Sequence, residues 1–117
     1  QKAVDLVQGP YLSEVDAYWA SEERERLGQM YVSALEELAH LYLDSNQIEK
    51  CLPICQLALA QDRYNEMIYQ LEMRAYAALG DRASIARLYQ ASKAALEVDL
   101  GIPISQEMEA LYRELTA

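Results

Sequence analysis

Slid along itself until Leu35 lies on Tyr69, the chain meets residues of its own kind. In that register Ala39 falls on Met73 and Tyr42 on Tyr76, while Asn46 falls on Gly80, Cys51 on Ile85, Cys55 on Tyr89 and Ala58 on Ser92. Large residues recur where a helix would face its partner, small ones where two helices must approach closely, and Asn or Gly where the chain must turn. Self-similarity at a period of roughly 34 residues is the signature of helix–turn–helix units, none of which can bury its apolar face alone. The agreement is of residue class rather than identity, and Glu72, opposite Leu38, breaks it. The period predicts helical hairpins stacked side by side; an unrelated four-helix arrangement is the alternative.

Local signals place the helices. Gly9-Pro10 breaks any helix, and Tyr11, Leu12, Val15, Tyr18 and Trp19 follow, so residues 1–20 read as a short helix or strap folded over the first long helix. Ser21 reads as that helix's N-cap, with Glu22 and Glu23 favoured in the first turn by the helix dipole. Leu27, Met30, Tyr31, Ala34, Leu35, Leu38, Leu41 and Tyr42 then recur at spacings of three and four, an amphipathic stripe that ends near Asp44-Ser45-Asn46. A second helix is expected over 48–60 and a third over 65–79, stopped by Gly80. Asp81 caps a fourth that continues to Leu100, Gly101-Ile102-Pro103 ends it, and Ser105 caps a last helix over 106–115. The expected organisation is one domain over 1–117, with a strap (1–20), a first helix pair (21–63), a second pair (64–100) and a C-terminal capping helix (104–117). The fold class is all-α, with tetratricopeptide-like antiparallel helix pairs stacked in a short right-handed superhelix.

Composition supports helices and restricts partners. Hydrophobic residues make up 52% of the chain, enough to build a core without disulfides or metals at this length. The net charge is −9, and residues 1–44 hold three basic against nine acidic side chains. Lys and Arg contacts to phosphate supply most nucleic-acid affinity, so direct binding of DNA or RNA by this segment is not expected. An acidic face suits a basic partner, and a solvated surface that aids solubility is the plainer reading. The longest uncharged run, Cys51 to Gln61, is too short for a membrane helix. Without a signal-peptide pattern, the expected compartment is the cytoplasm. Gln1 in place of Met suggests a piece cut from a longer protein.

Few residues invite chemistry. Cys51 and Cys55 share a helical face, but a metal needs three or four ligands, and the chain has two Cys and one His, His40. Both cysteines occupy inward repeat positions, where a thiol acts as a small hydrophobe. Pro53 should kink the second helix or delay its start until near Cys51. Trp19 reads as a core plug in the strap, and Tyr42, Tyr69, Tyr76 and Tyr89 fit core positions. Glu36 and Glu37 point to different sides of their helix and form no acid–base pair. No phosphate loop, nucleophile elbow or His-Glu-x-x-His pattern occurs. No catalytic residue, cofactor or metal is therefore expected. Ser33, Glu36, His40 and Asp44 lie in one phase of the first long helix; one period later stand Met67, Gln70, Arg74 and Ala78. These rows match the groove-lining positions of stacked hairpins and make Ser33, Glu36, His40, Asp44, Met67, Gln70 and Arg74 a candidate partner-binding groove; an ordinary wetted surface is the alternative.

A family pattern runs through the same residues. Asp16-Ala17-Tyr18-Trp19-Ala20, then Glu23-Arg24-Glu25-Arg26-Leu27, Tyr31, Ala34-Leu35 and Leu38-Ala39, resemble the opening of the bacterial transcriptional activator domain of the Streptomyces antibiotic regulatory protein family. The run from Met73 to Arg82 resembles its central helix and turn. Arg87-Leu88-Tyr89, Leu96, Leu100-Gly101, Ser105, Glu109 and Leu111-Tyr112 follow in its order. Two departures stand out: Pro103 lies one place earlier than the family pattern, and Cys51, Pro53 and Cys55 replace Ala, Glu and Leu types. The resemblance implies a regulator's interaction module that contacts protein, either by self-association or through the transcription machinery. It implies DNA binding only through a separate winged-helix domain, and no membrane. The related signalling ATPases carry similar arms, so a generic adaptor or sensory arm is the second reading. The residues encoded upstream of Gln1 separate the two.

Overall fold

The computed structural model describes the backbone of residues 14–117 and the side chains from Trp19 onward. The expected break at Gly9-Pro10, with Tyr11 and Leu12, lies outside the described residues, as do the side chains of Val15 and Tyr18. Five α-helices follow in order: α1 (Glu14–Asp44), α2 (Ile48–Gln61), α3 (Glu66–Ala78), α4 (Arg82–Lys93) and α5 (Gln106–Thr116). Among the described residues there is no strand. The chain divides into two compact units, Gln1–Tyr31 and Val32–Ala117. The first contributes the N-terminal stretch of α1, and the hairpins lie in the second.

Helix α1 corrects the reading of the N-terminal region. It runs without a break from Glu14, so Ser21 is an interior helical residue and not an N-cap. Residues 14–27 are mostly Ala, Glu, Arg and Leu, with neither Gly nor Pro among them, and nothing there stops a helix from propagating. Trp19 is 66% exposed rather than a core plug. The apolar stripe of α1 is also wider than the face it buries. Leu35 and Ala39 are buried, whereas Leu27, Met30, Tyr31, Ala34 and Leu41 are exposed.

The repeat is written in the backbone as clearly as in the side chains. Asn46 ends α1 at φ 59°, and Gly80 ends α3 at φ 71°, both left-handed. At the first turn the Gln47 N–H donates to the Tyr42 carbonyl (2.7 Å) and the Asn46 N–H to Leu43 (3.0 Å); at the second, Asp81 donates to Tyr76 (2.9 Å) and Gly80 to Ala77 (3.0 Å). Each bond is its counterpart moved along by one repeat. This paired closure satisfies carbonyls that a helix end leaves open, and the left-handed residue makes it possible. Gly101, at φ 69°, is left-handed as well and follows the stretch Ala94–Asp99.

Side-chain caps start the later helices. Asn65 accepts from the Ile68 N–H (3.3 Å), Asp81 from Ser84 (3.1 Å) and Ser105 from Met108 (3.1 Å). Helix α2 starts at Ile48 despite Pro53, so the delayed start does not occur. Pro53 costs α2 the bond to the Glu49 carbonyl, and both residues are exposed, where water can take over that acceptor. Past Lys93 the chain continues as a π-helical stretch, Ala94–Asp99, a wider turn that the sequence pattern does not announce.

Two clusters hold the helices. The first joins α1, α2 and α3 through Leu35, Ala39, Ile48, Cys51, Cys55, Ala58, Ile68, Leu71 and Ala75, with Tyr42 packed against it. The second joins α3, α4 and α5 through Tyr69, Met73, Ile85, Leu96, Ile104 and Met108, with Tyr76, Tyr89 and Tyr112 alongside. Tyr69 is buried, and Tyr42, Tyr76 and Tyr89 are half-buried, as their repeat positions predict. The Tyr89 and Tyr112 rings stack at 3.9 Å between centroids, and the Ser105 N–H donates to Glu66 at 2.9 Å, so α5 is fixed to both helices of the second hairpin. Arg63 and Asp99 form an ion pair between the α2–α3 loop and the end of the π-helical stretch.

Leu71, at 2% exposure, and Leu41, at 65%, both belong to apolar helical rows. Leu71→Ala should lower unfolding free energy by about 2–5 kcal/mol, and Leu41→Ala by less than about 0.5 kcal/mol. Gly80→Ala should cost about 1 kcal/mol from backbone strain alone, since an added Cβ would meet nothing within 4 Å. Urea unfolding monitored by circular dichroism checks all three, and equal losses for the two leucines would contradict the packing.

Candidate interaction surface

The two predicted groove rows are built on helices that the repeat places in register. Ser33, Glu36, His40 and Asp44 follow at intervals of three and four along α1, turned away from Leu35 and Ala39. Met67, Gln70 and Arg74 follow likewise along α3, between its buried Ile68, Leu71 and Ala75. Glu36 and Gln70 are half-buried, and Ser33, His40, Asp44, Met67 and Arg74 are exposed. Each row therefore holds solvent-exposed side chains. The α1 row carries two carboxylates and an imidazole, and the α3 row carries a thioether, an amide and a guanidinium. Among the described residues, no hydrogen bond or ion pair joins one row to the other.

A cleft of about 410 Å³ lies elsewhere, at the hairpin turns. Asn46, Gln47, Ile48, Glu49 and Lys50 line one wall, and Ala78 and Leu79 line the other. Of the residues in the two rows only Ala78 reaches it. The cleft follows directly from the repeated turns, which set Asn46 and Leu79 at the same end of the stack. The paired turn residues were its only trace in the sequence.

The interior holds what reactive chemistry the chain has. Cys51 and Cys55 are fully buried free thiols, with sulfurs 3.9 Å apart. The Cys51 thiol donates to the Ala39 carbonyl of α1 at 3.5 Å. Burial pushes both thiols up from their ordinary value, with the Cys51 sulfur and the Glu72 carboxylate adding to the rise at Cys55. They are packing residues, as their inward repeat positions predict. Among the described residues, no three His, Cys, Asp or Glu side chains gather closely enough to hold a metal ion.

Glu72 is the residue that sequence reasoning marked but did not place. It breaks the repeat opposite Leu38, and the structure buries it to 3% exposure on the inner face of α3. Its Oε1 has no hydrogen-bond partner among the described residues. Loss of hydration raises the carboxyl to about 7, and the Gln56 side chain pulls the other way, but less.

Thiol reagents should modify both cysteines far more slowly in the native state than in the unfolded chain, because only the thiolate reacts and neither sulfur meets solvent. Labelling across a urea series measures this, and rapid native labelling at neutral pH would refute it.

The family model of the bacterial transcriptional activator domain matches residues 1–116 of the chain. No curated protein and no solved structure matches it.

Proposed function

The chain belongs to the bacterial transcriptional activator domain family, and from that premise we propose that it is the protein-interaction and oligomerisation module of a bacterial transcription regulator. The observation that carries the reading is the pair of accessible rows on α1 and α3. Stacked hairpins present such rows as a preformed surface, so a partner need not order it on binding. Ser33, Glu36, His40, Asp44, Met67, Gln70 and Arg74 are the residues assigned to it. The partner is protein, either a second copy of the regulator or a component of the transcription machinery.

Charge argues that DNA is read elsewhere in the regulator. A net charge of −9 repels a phosphate backbone. The domain acts by binding and not by catalysis, and it works in the cytoplasm, where its regulator meets DNA. Among the described residues no helix is long and apolar enough to cross a membrane.

Sedimentation of the domain over a range of concentrations tests the protein-binding half. The wild type should gain mass with concentration, and Arg74→Glu combined with His40→Ala should weaken that gain without shifting the thermal midpoint. An unchanged gain would move the interface off these rows. Mobility shifts with promoter DNA at physiological salt test the other half; no shift is expected, and tight binding by this domain alone would sink the assignment.

A further inference from the structure

Glu72 stands where the repeat calls for an apolar residue, in the seam between the two hairpins. The groups that face it are few. From α2 come the Cys51 and Cys55 thiols and the Gln56 amide, and from its own helix comes the Tyr69 phenol. Helix α1 brings Leu35, Ala39, Tyr42 and Leu43 to the same cluster. Helices α4 and α5 pack against the neighbouring Tyr69 and Met73 face of α3. Among the described residues no ion pair reaches Glu72, and one of its oxygens is without any partner.

A carboxylate in such a place has lost its water and gained only the Gln56 amide in return, whereas the neutral acid loses far less. We propose that Glu72 makes the hairpin seam a proton-operated joint, closed while the side chain is neutral and loosened when it ionises and must reach water. Loosening separates α3 from α2 and admits solvent to Cys51 and Cys55. It also displaces the outer row Met67, Gln70 and Arg74, so that acidity would tune partner binding; that last step rests on reading the rows as the interaction surface.

The direction follows from linkage. The closed seam holds the carboxyl near 7, against an ordinary 4.5. The closed form therefore keeps a proton that the open form releases, and closure weakens as pH rises through that window, then levels off. The two thiols ionise only at higher pH and leave this window to Glu72.

The test labels Cys51 and Cys55, the only two cysteines, with iodoacetamide from pH 5 to 8. Dividing each rate by that of the urea-unfolded chain at the same pH removes the intrinsic reactivity of the thiolate. In the wild type the normalised rate, which reports seam opening, should rise on the order of 50-fold across this range and flatten above it. Glu72→Gln, which cannot ionise, should show no such rise, and Glu72→Leu supplies the residue of position 38 should the amide fold poorly. A rise of equal size in the variants, or none in the wild type, overturns the joint. Sedimentation at pH 6 and pH 8 then reads the surface. Weaker self-association at pH 8 in the wild type but not in the variants supports the coupling. A pH-responsive seam with unchanged self-association overturns the coupling and leaves the joint standing.

Discussion

The close approach of α1, α2 and α3 is the constraint on which the hairpin stack depends. It is achieved by side chains that take up little room. Ala39, Cys51, Cys55, Ala58 and Ala75 are all buried at 2% exposure or less, and none of them is larger than a cysteine. Larger residues, Leu35, Ile48, Ile68 and Leu71, fill the remaining space. Interiors are packed to near crystal density, so such a seam tolerates little change in volume. The Cys51 thiol even donates to a backbone carbonyl of α1, a contact that a bulkier side chain could not make.

Each later element is fixed by reference to that seam. The left-handed residues at Asn46 and Gly80 turn the chain so that each helix returns antiparallel to its predecessor. The second hairpin buries its own apolar row against α5, with the Tyr89–Tyr112 stack and the Ser105–Glu66 hydrogen bond closing that end. The recurrence of bond pattern and burial from one hairpin to the next means that one local solution is used twice. Consistency between levels of this kind gives a sequence a single low-energy arrangement.

Helix existence, most helix ends and the core positions that the repeat marks were legible in the sequence, because spacing, caps and the repeat all speak to the same elements. The outer part of the α1 stripe, from Leu27 to Ala34 and at Leu41, was not, since it is apolar yet exposed. Asn65, Asp81 and Ser105 cap where their chemistry suggests. Ser21 misled because a good capping residue is also an acceptable helix residue, and only a breaker before it could have ended the helix there. Trp19 misled because size alone does not say which side of a helix is covered. The π-helical turn after Lys93 left no mark, since Ala, Leu and Glu suit either winding. For the proposed interaction surface, the sequence supplied the two rows through their phase, and the structure leaves Ser33, His40, Asp44, Met67 and Arg74 of them exposed. It supplied Glu72 only as a mismatch; its burial became visible once α3 was laid against α2.

The placement of the single tryptophan bears on how this molecule can be watched. Trp19 lies in the first compact unit, mostly surrounded by water, while the tyrosines Tyr42, Tyr69, Tyr76, Tyr89 and Tyr112 all sit in or against the two clusters of the second. Indole fluorescence is therefore a poor reporter of whether the hairpins are intact, because its emitter starts out hydrated. Phenol absorbance and emission carry the optical signal of the core, and moving an indole to position 76 or 89 would give the hairpin stack a dye of its own.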